Sequence, residues 1–261
     1  MTDQHDPFAQ SRMSLVEHLT ELRKRLMYVL IVLLVATFAA FSYAPELFNI
    51  MRQPLDVATG GQKLVVLSPL EMVFTYMKLS ILAAVFGTAP WMLAQLWLFV
   101  APGLYSHEKR WIAPFIIMGT LSFVGGGAFG YYVVIPNMFK YLTAMVPVGV
   151  ENTYSVETYF NLVFHMLLAF GFVFELPLVM WILAAAGLVT AASFAKWRKY
   201  WVVASFIIGG VVTADPSPVS MCLMAVPLVL FWELGILGAR IVARKRKAAN
   251  VTQASAGSPA G

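Results

Sequence analysis

Long apolar blocks constrain this chain more than any other feature of its sequence. Only 12% of the residues are charged, about half the share that is usual in soluble domains. A helix needs about 20 mostly apolar residues to cross a bilayer. We predict six such spans, at about 26–44, 73–100, 112–136, 158–187, 200–213 and 218–239. The sequence therefore predicts an all-α integral membrane protein whose six transmembrane helices form a bent, concave bundle.

The first apolar block has the features of a retained span. It follows residues 1–25 and ends in Tyr43-Ala44-Pro45-Glu46, whereas a cleaved signal peptide has a short basic leader and a small-residue cleavage site. We divide the chain into three parts: a cytoplasmic amphipathic helix (1–25), a six-span membrane domain (26–239) with outer cap loops (45–72 and 137–157), and a disordered basic cytoplasmic tail (240–261).

The distribution of positive charge predicts the orientation of the chain. Of the 18 Lys and Arg residues, 14 lie in the N-terminal tail, the 101–111 loop, the 188–200 loop and the C-terminal tail. Because cytoplasmic loops carry an excess of Lys and Arg, both termini are predicted to be cytoplasmic. This orientation signal also explains the basic run 244–247, so we predict no nucleic-acid partner.

Two features predict an irregular bundle. Prolines lie within or at the ends of several spans, and Gly125-Gly126-Gly127 is predicted to interrupt the third. Neighbouring helices can satisfy the backbone groups that such breaks release. The uncharged part of the fifth span, Trp201 to Ala214, covers only roughly 21 Å of a hydrocarbon core of about 30 Å. It must thin the bilayer or shelter behind longer helices, unless its flanking cations simply snorkel.

No motif for catalysis or nucleotide binding is present in the sequence. Nothing matches the phosphate-binding pattern G-x-x-x-x-G-K-[ST], and the four histidines have no paired metal-ligand spacing. The single cysteine, Cys222, excludes an internal disulfide and a cysteine pair for a metal. We therefore predict a protein that is not an enzyme and binds no cofactor or metal.

The N-terminal stretch SLVEHLTELRKRL, Ser14 to Leu26, predicts an amphipathic helix. Ser14 and Glu17 have the spacing of a capping box, and leucines recur at three- and four-residue steps. One interpretation is an interfacial helix in which Glu21 and Arg25 form an ordinary i,i+4 pair. The other is a docking surface, and the spacing alone does not decide between them.

The stretch FGFVFELPLVM, Phe170 to Met180, places one carboxylate inside the fourth apolar block. Pro177 has no N–H, so a helix through it leaves the Val173 carbonyl without its usual donor and favours a bend. A lone carboxylate at this depth is costly. Glu175 is therefore expected to be protonated or to face a polar cavity or a partner.

Four stretches together resemble the TatC family, the polytopic subunit of the twin-arginine protein translocase. They are HLTELRKRL (18–26), FVAPGLYSHEKR (99–110), FGFVFELP (170–177) and the turn Thr-Ala-Asp-Pro (213–216). The resemblance extends to about residue 240. It implies a receptor in the bacterial cytoplasmic (inner) membrane that binds signal peptides with paired arginines at its cytoplasmic face. It also implies export of folded proteins by the proton-motive force with single-span TatA- and TatB-type partners, and self-association in the receptor complex.

The resemblance also implies roles for individual residues. The family positions for signal-peptide binding fall on Glu21, Arg23, Phe99, Leu104, Tyr105 and Glu108. Carboxylates suit this task because an arginine fork binds them bidentately. Pro54 and Asp215 fall on motif positions of the outer loops, and Glu175 on a polar position that faces the concave groove, where we expect it to draw in water or to contact a partner helix. Met221 stands where many relatives carry a glutamine, so a polar partner-docking role of that glutamine does not transfer to this chain.

Two other hypotheses remain for the residues taken without the resemblance. Glu175 beside Pro177 is typical of an intramembrane site in a proton-coupled small-molecule transporter. Against it, the spans show no evident internal repeat and carry few charges. A purely structural scaffold would not need a carboxylate within a span.

Overall fold

The computed structural model describes residues 15–100, 112–147, 149–150, 153–213 and 217–256. These residues form a helical bundle with one pair of two-residue strands. In chain order the elements are α1 (Leu15–Phe41), α2 (Ala44–Thr59), β1 (Leu64–Val65), α3 (Glu71–Val100), α4 (Ile112–Phe129), a π turn (Gly130–Val134), α5 (Ile135–Ala144), β2 (Tyr154–Ser155), α6 (Val156–Ala185), α7 (Ala191–Thr213) and α8 (Pro218–Ala256).

At both ends of the described chain, the helices are longer than the sequence predicted. Helix α1 joins the amphipathic segment to the first span without a break at residue 25. Helix α8 continues to Ala256, so the described part of the tail that we predicted to be disordered is helical. Arg, Lys and Ala are good helix formers, and a basic composition therefore does not end a helix.

Five helices in the described part of the chain are long and apolar enough to cross a membrane: Val16–Phe41, Glu71–Phe99, Ala113–Ala144, Val156–Ala185 and Pro218–Arg244. They correspond to predicted spans one, two, three, four and six. The predicted fifth span lies in α7, which begins at Ala191 and is not among them. Its first half carries Lys196, Arg198 and Lys199, which leaves only the short apolar stretch noted above.

The prediction that three glycines interrupt the third span is wrong. Helix α4 runs through all of them and ends only at Phe129. Their positions are set by packing instead, because a Cβ on Gly126 would lie 2.3 Å from the carbonyl oxygen of Phe170, and one on Gly127 would lie 2.4 Å from the ring of Phe86. Small residues let membrane helices approach closely, and here they bring α4 against α6 and α3.

Helix α6 is the central helix of the bundle. Phe160 and Phe170 are fully buried in its core, and the helix continues through Pro177 to Ala185. Near its C-terminal end, Trp181 packs onto α8, where a Cβ on Gly238 would lie 1.1 Å from the indole Nε1. Glycine at 238 therefore makes room for the indole between α6 and α8.

Helices α7 and α8 form an antiparallel hairpin that is fastened near its open end. Arg198 donates to Glu233 through two nitrogens, Nη2 to Oε2 at 2.8 Å and Nε to Oε1. The Trp201 indole stacks on Trp232 with ring centroids 4.6 Å apart, and its Nε1 donates to the carbonyl of Leu228 at 3.1 Å. Bidentate pairs with arginine fix geometry as well as charge, so the short helix α7 is held firmly against the longer α8.

The two predicted cap loops form one small structure rather than separate loops. The first contributes α2 and β1, and the second contributes α5 and β2. The two strands pair in parallel, with Leu64 opposite Tyr154 and Val65 opposite Ser155. The Tyr159 hydroxyl on α6 donates to the carbonyl of Met51 on α2 at 2.6 Å, which ties the cap to the bundle.

Glu71 connects the starts of α3 and α6. Its Oε2 accepts from the backbone N–H groups of Leu67 at 2.6 Å and Ser68 at 3.1 Å, and its Oε1 accepts from that of Glu157 at 2.5 Å. The residue is only 3% exposed. Glu157 is the second residue of α6, and the first N–H groups of a helix lack partners within the helix. Leu67 and Ser68 lie just before α3, so one carboxylate ties the starts of both helices together beside the strand pair.

Candidate functional site

A polar junction forms where the N-terminal part of α1 lies against the C-terminal part of α3. Arg25 donates from Nε to Glu21 Oε1 at 2.9 Å, and its Nη2 donates to the same oxygen. Its Nη1 donates across the helix pair to Gln95 Oε1 at 3.3 Å. The Glu21 and Arg25 side chains are only 19% and 22% exposed. The predicted i,i+4 pair therefore exists, but it is partly buried and tied to a second helix.

The second oxygen of Glu21 is different from the first. Glu21 Oε2 is buried and has no hydrogen-bond partner among the described residues. An ionised carboxylate can accept at both oxygens, and leaving a buried acceptor unpaired is unfavourable. The site therefore has unused capacity to accept a hydrogen bond at this oxygen.

Phe99 lies at the same junction, one helical turn beyond Gln95. The ring of His18 on α1 stacks on it with centroids 4.4 Å apart and planes at 18°. Arg23, in contrast, is exposed on α1. The structure thus brings Glu21 and Phe99 to one place and leaves Arg23 at the surface. Leu104, Tyr105, Glu108 and Asp215 lie outside the described residues.

An open apolar cavity of about 440 Å³ extends from this junction. Arg25, Gln95 and Phe99 line one part of it, and Phe172 and Glu175 line another. The remaining lining is aliphatic or aromatic, from α1, α3, α4 and α6: Leu22, Leu26, Val29, Val85, Ala89, Met92, Leu93, Leu96, Phe123, Leu176 and Val179. The cavity therefore links the Glu21 junction to the carboxylate of α6 along an apolar path.

Glu175 is half-buried on the wall of this cavity. Its Oε1 is buried without a hydrogen-bond partner among the described residues. Its Oε2 approaches α4 at Gly119, where a Cβ would lie 3.3 Å from that oxygen. Glu175 thus has spare hydrogen-bonding capacity in an apolar setting, where satisfying it with water or a polar partner would be favourable.

Pro54 has a structural explanation within the outer cap. It is buried inside α2, and because proline has no N–H it leaves the carbonyl four residues earlier without its helical donor. That carbonyl belongs to Ile50, and the Tyr131 hydroxyl donates to it at 2.6 Å. The side chain that repairs the helix comes from the π turn, so Pro54 and Tyr131 together join the two halves of the cap.

Sequence reasoning missed Gln95 and a polar cluster on the bundle. Gln95 is 7% exposed and is the lone amide in the run PWMLAQLWLFV (90–100), which was the available signal. In the cluster, Lys78 Nζ donates to Asn161 Oδ1 at 2.7 Å, and His165 Nδ1 lies 2.7 Å from the Asn161 carbonyl oxygen.

Among the described residues, no three His, Cys, Asp or Glu side chains are grouped so that they could hold a metal ion.

Comparison with known proteins agrees with this architecture. The family profile for the Sec-independent protein translocase protein (TatC) matches residues 17–227. The TatC protein of Aquifex aeolicus is 36% identical over 237 residues, which cover 90% of this chain and 98% of that protein. The TatC protein of Desulforapulum autotrophicum is 38% identical, with coverage of 88% and 85%.

Solved structures show the same relationship in three dimensions. A crystal structure described as the twin-arginine translocase receptor TatC superposes with a TM-score of 0.79 at 34% identity, covering 87% of this chain and 99% of that one. A second, of the same receptor in the detergent DDM, also gives 0.79, at 35% identity. With the family profile, the related sequences and the superposed structures in agreement, the chain belongs to the TatC family of Sec-independent protein translocase proteins.

Proposed function

We propose that this chain is the receptor and core subunit of a twin-arginine translocase. It binds signal peptides with paired arginines and, with TatA- and TatB-type partners, exports folded proteins using the proton-motive force. The observation that carries the proposal is the Glu21 carboxylate, which has one unpartnered oxygen and is paired with Arg25 on the wall of an apolar cavity. A signal peptide joins a basic region to an apolar segment. A carboxylate followed by an apolar groove offers complementary chemistry to both parts.

The proposal includes a membrane arrangement. Six helices span the bacterial inner membrane with both termini in the cytoplasm, and α7 is the short span. The positive charge near the predicted cytoplasmic ends supports this orientation. Binding and translocation here involve no covalent chemistry by the chain itself, so we infer a receptor without catalytic residues. Leu104, Tyr105 and Glu108 complete the proposed binding face.

Lipid and partner contacts follow from the outer surfaces of the helices. None of the most apolar window of α1 is buried within the chain, and Leu30, Leu34 and Phe38 are exposed along it. Large exposed apolar surfaces of this kind fit lipid, single-span partners or further copies of the receptor. We propose all three as contacts of this chain in the assembled translocase.

The direct test of the receptor proposal is peptide binding to the protein in lipid nanodiscs. We expect Glu21→Gln to weaken binding of a signal peptide with paired arginines about tenfold or more, since hydrogen bonds to charged groups contribute about 1.5–3 kcal/mol. Glu17→Gln is the matched control, because it removes an exposed carboxylate from the same helix and should change binding little. Equal affinities for wild type and Glu21→Gln would exclude this carboxylate as the arginine receptor.

We also propose a role for Glu175, which draws water into the cavity near the middle of the membrane. In a Cys222→Ala background, a cysteine at 175 should react with a membrane-impermeant maleimide. A cysteine at Leu121, which is 68% exposed on α4, should remain unreactive because it faces lipid. Protection of position 175 to the same degree as position 121 would contradict the proposal.

A further inference from the structure

The Glu21 site already contains a guanidinium of its own. Arg25 lies one turn along α1 and donates two N–H groups to the same oxygen, Oε1. In a fork-to-fork pair each guanidinium nitrogen binds a different carboxylate oxygen. An incoming arginine that binds Glu21 in this way needs both oxygens, and one of them is occupied by Arg25.

Gln95 provides a place for Arg25 when it is displaced. It already accepts from Arg25 Nη1 at 3.3 Å, and its amide oxygen lies on α3, outside the Glu21 pair. Both Arg25 and Gln95 line the apolar cavity. Arg25 can therefore leave Oε1 while one of its nitrogens stays hydrogen-bonded, so its charge is not left without a partner in an apolar region.

We propose that Arg25 is a resident competitor for the signal-peptide arginine and that Gln95 is the acceptor that retains it during exchange. This inference rests on the proposed function and names the regulation of the same site. In the free receptor Arg25 covers Glu21. When a peptide arginine binds, it takes both oxygens of Glu21, and Arg25 turns toward Gln95.

The competitor is weak enough to be displaced. An exposed i,i+4 ion pair changes the stability of an isolated helix by only about twofold in an equilibrium constant. The Glu21 and Arg25 side chains are 19% and 22% exposed, so the lost hydration of both charges offsets part of their attraction. The tether along the helix nevertheless gives Arg25 a high effective concentration at Glu21. A single free cation would rarely displace it, whereas a peptide that adds apolar contacts in the cavity would.

The experiment measures the dissociation constant of a fluorescent twin-arginine signal peptide for the full chain in nanodiscs. We expect Arg25→Gln to tighten binding about two- to fivefold, since it removes the competitor. Lys24→Gln is the matched control because it removes the same charge from an exposed neighbouring position. The tightening of peptide binding by Arg25→Gln must be larger than that by Lys24→Gln. Tightening no larger than that of Lys24→Gln overturns the proposal.

A double-mutant cycle between Gln95 and Arg25 is the second part of the test. Gln95→Leu should weaken binding about two- to fivefold in the wild-type background and have no effect when Arg25→Gln is present. Equal weakening in both backgrounds would show direct contact with the peptide and overturn the exchange. Thermal unfolding of each variant confirms that it is folded.

Failure of the exchange is distinguishable from failure of the receptor proposal. If Glu21→Gln weakens binding while Arg25→Gln does not tighten it, the receptor assignment stands and the exchange is wrong. If Glu21→Gln binds as wild type does, both are wrong.

Discussion

Replacing Gly126 by alanine is expected to destabilise the protein by about 3 kcal/mol, the upper part of the range for overpacked interiors. The added Cβ would lie 2.3 Å from the carbonyl oxygen of Phe170 and 2.8 Å from its carbonyl carbon. Both atoms belong to the backbone of α6, so no side chain can rotate away. The two helices must separate, and the contacts of α4 with the central helix weaken.

The neighbouring residue provides a close control. A Cβ on Gly125 meets nothing within 4 Å, and alanine is a better helix former than glycine by up to about 1 kcal/mol. Gly125→Ala should therefore be neutral or slightly stabilising. The midpoints of thermal unfolding in detergent, followed by circular dichroism, measure both variants. Similar midpoints for the two variants would contradict the packing of α4 against α6 described above.

Replacing Glu71 by alanine should have the second large effect, a loss of about 2–4 kcal/mol that is concentrated in the outer cap. Three backbone N–H groups lose a charged acceptor at once. Hydrogen bonds to charged groups contribute about 1.5–3 kcal/mol each, although water can replace part of this at the edge of the cap. Glu71→Gln keeps one acceptor oxygen and should fall between wild type and alanine.

The effect of Glu71 can be separated from a general loss of negative charge. Glu157 is the control, because its exposed side chain is next to the same site and only its backbone N–H binds Glu71. Hydrogen exchange should rise at residues 64–68 and 154–157 in Glu71→Ala and stay unchanged in Glu157→Ala. Unchanged exchange in both variants would show that the carboxylate does not hold the cap together.

Much of the membrane architecture could be predicted because it depends on local composition. Apolar blocks long enough to span a bilayer are visible in a single sequence, and the Glu21–Arg25 pair follows from helical spacing. The wrong prediction for the three glycines has a non-local cause. Whether Gly125–Gly127 breaks a helix or permits close packing depends on Phe170 and Phe86, which are distant in the chain.

The candidate site shows the same division. Helical spacing predicted the Glu21–Arg25 pair on α1, and the family resemblance supplied its binding role. Arg25 nevertheless reaches Gln95 across 70 positions of sequence, and no local pattern contains that information. The compensation of Pro54 by Tyr131 is likewise a contact between separate segments. The C-terminal end of α8 was also missed. The cations beyond residue 239 are an orientation signal, but Lys and Arg are good helix formers as well.

The π turn between α4 and α5 determines which face of α5 is turned toward the rest of the outer cap. Ile135 donates its N–H to the carbonyl of Gly130, five residues back, whereas an α-helix uses the residue four back. The extra residue turns everything after it by about 100° relative to an uninterrupted α-helix. It is this rotation that directs Met138 and Phe139 into the core. The number of residues between 112 and 144 therefore matters as much as their chemistry: if all of them were wound as one uninterrupted α-helix, the helix would stay apolar and spanning, yet it would present the wrong face of α5 to the cap.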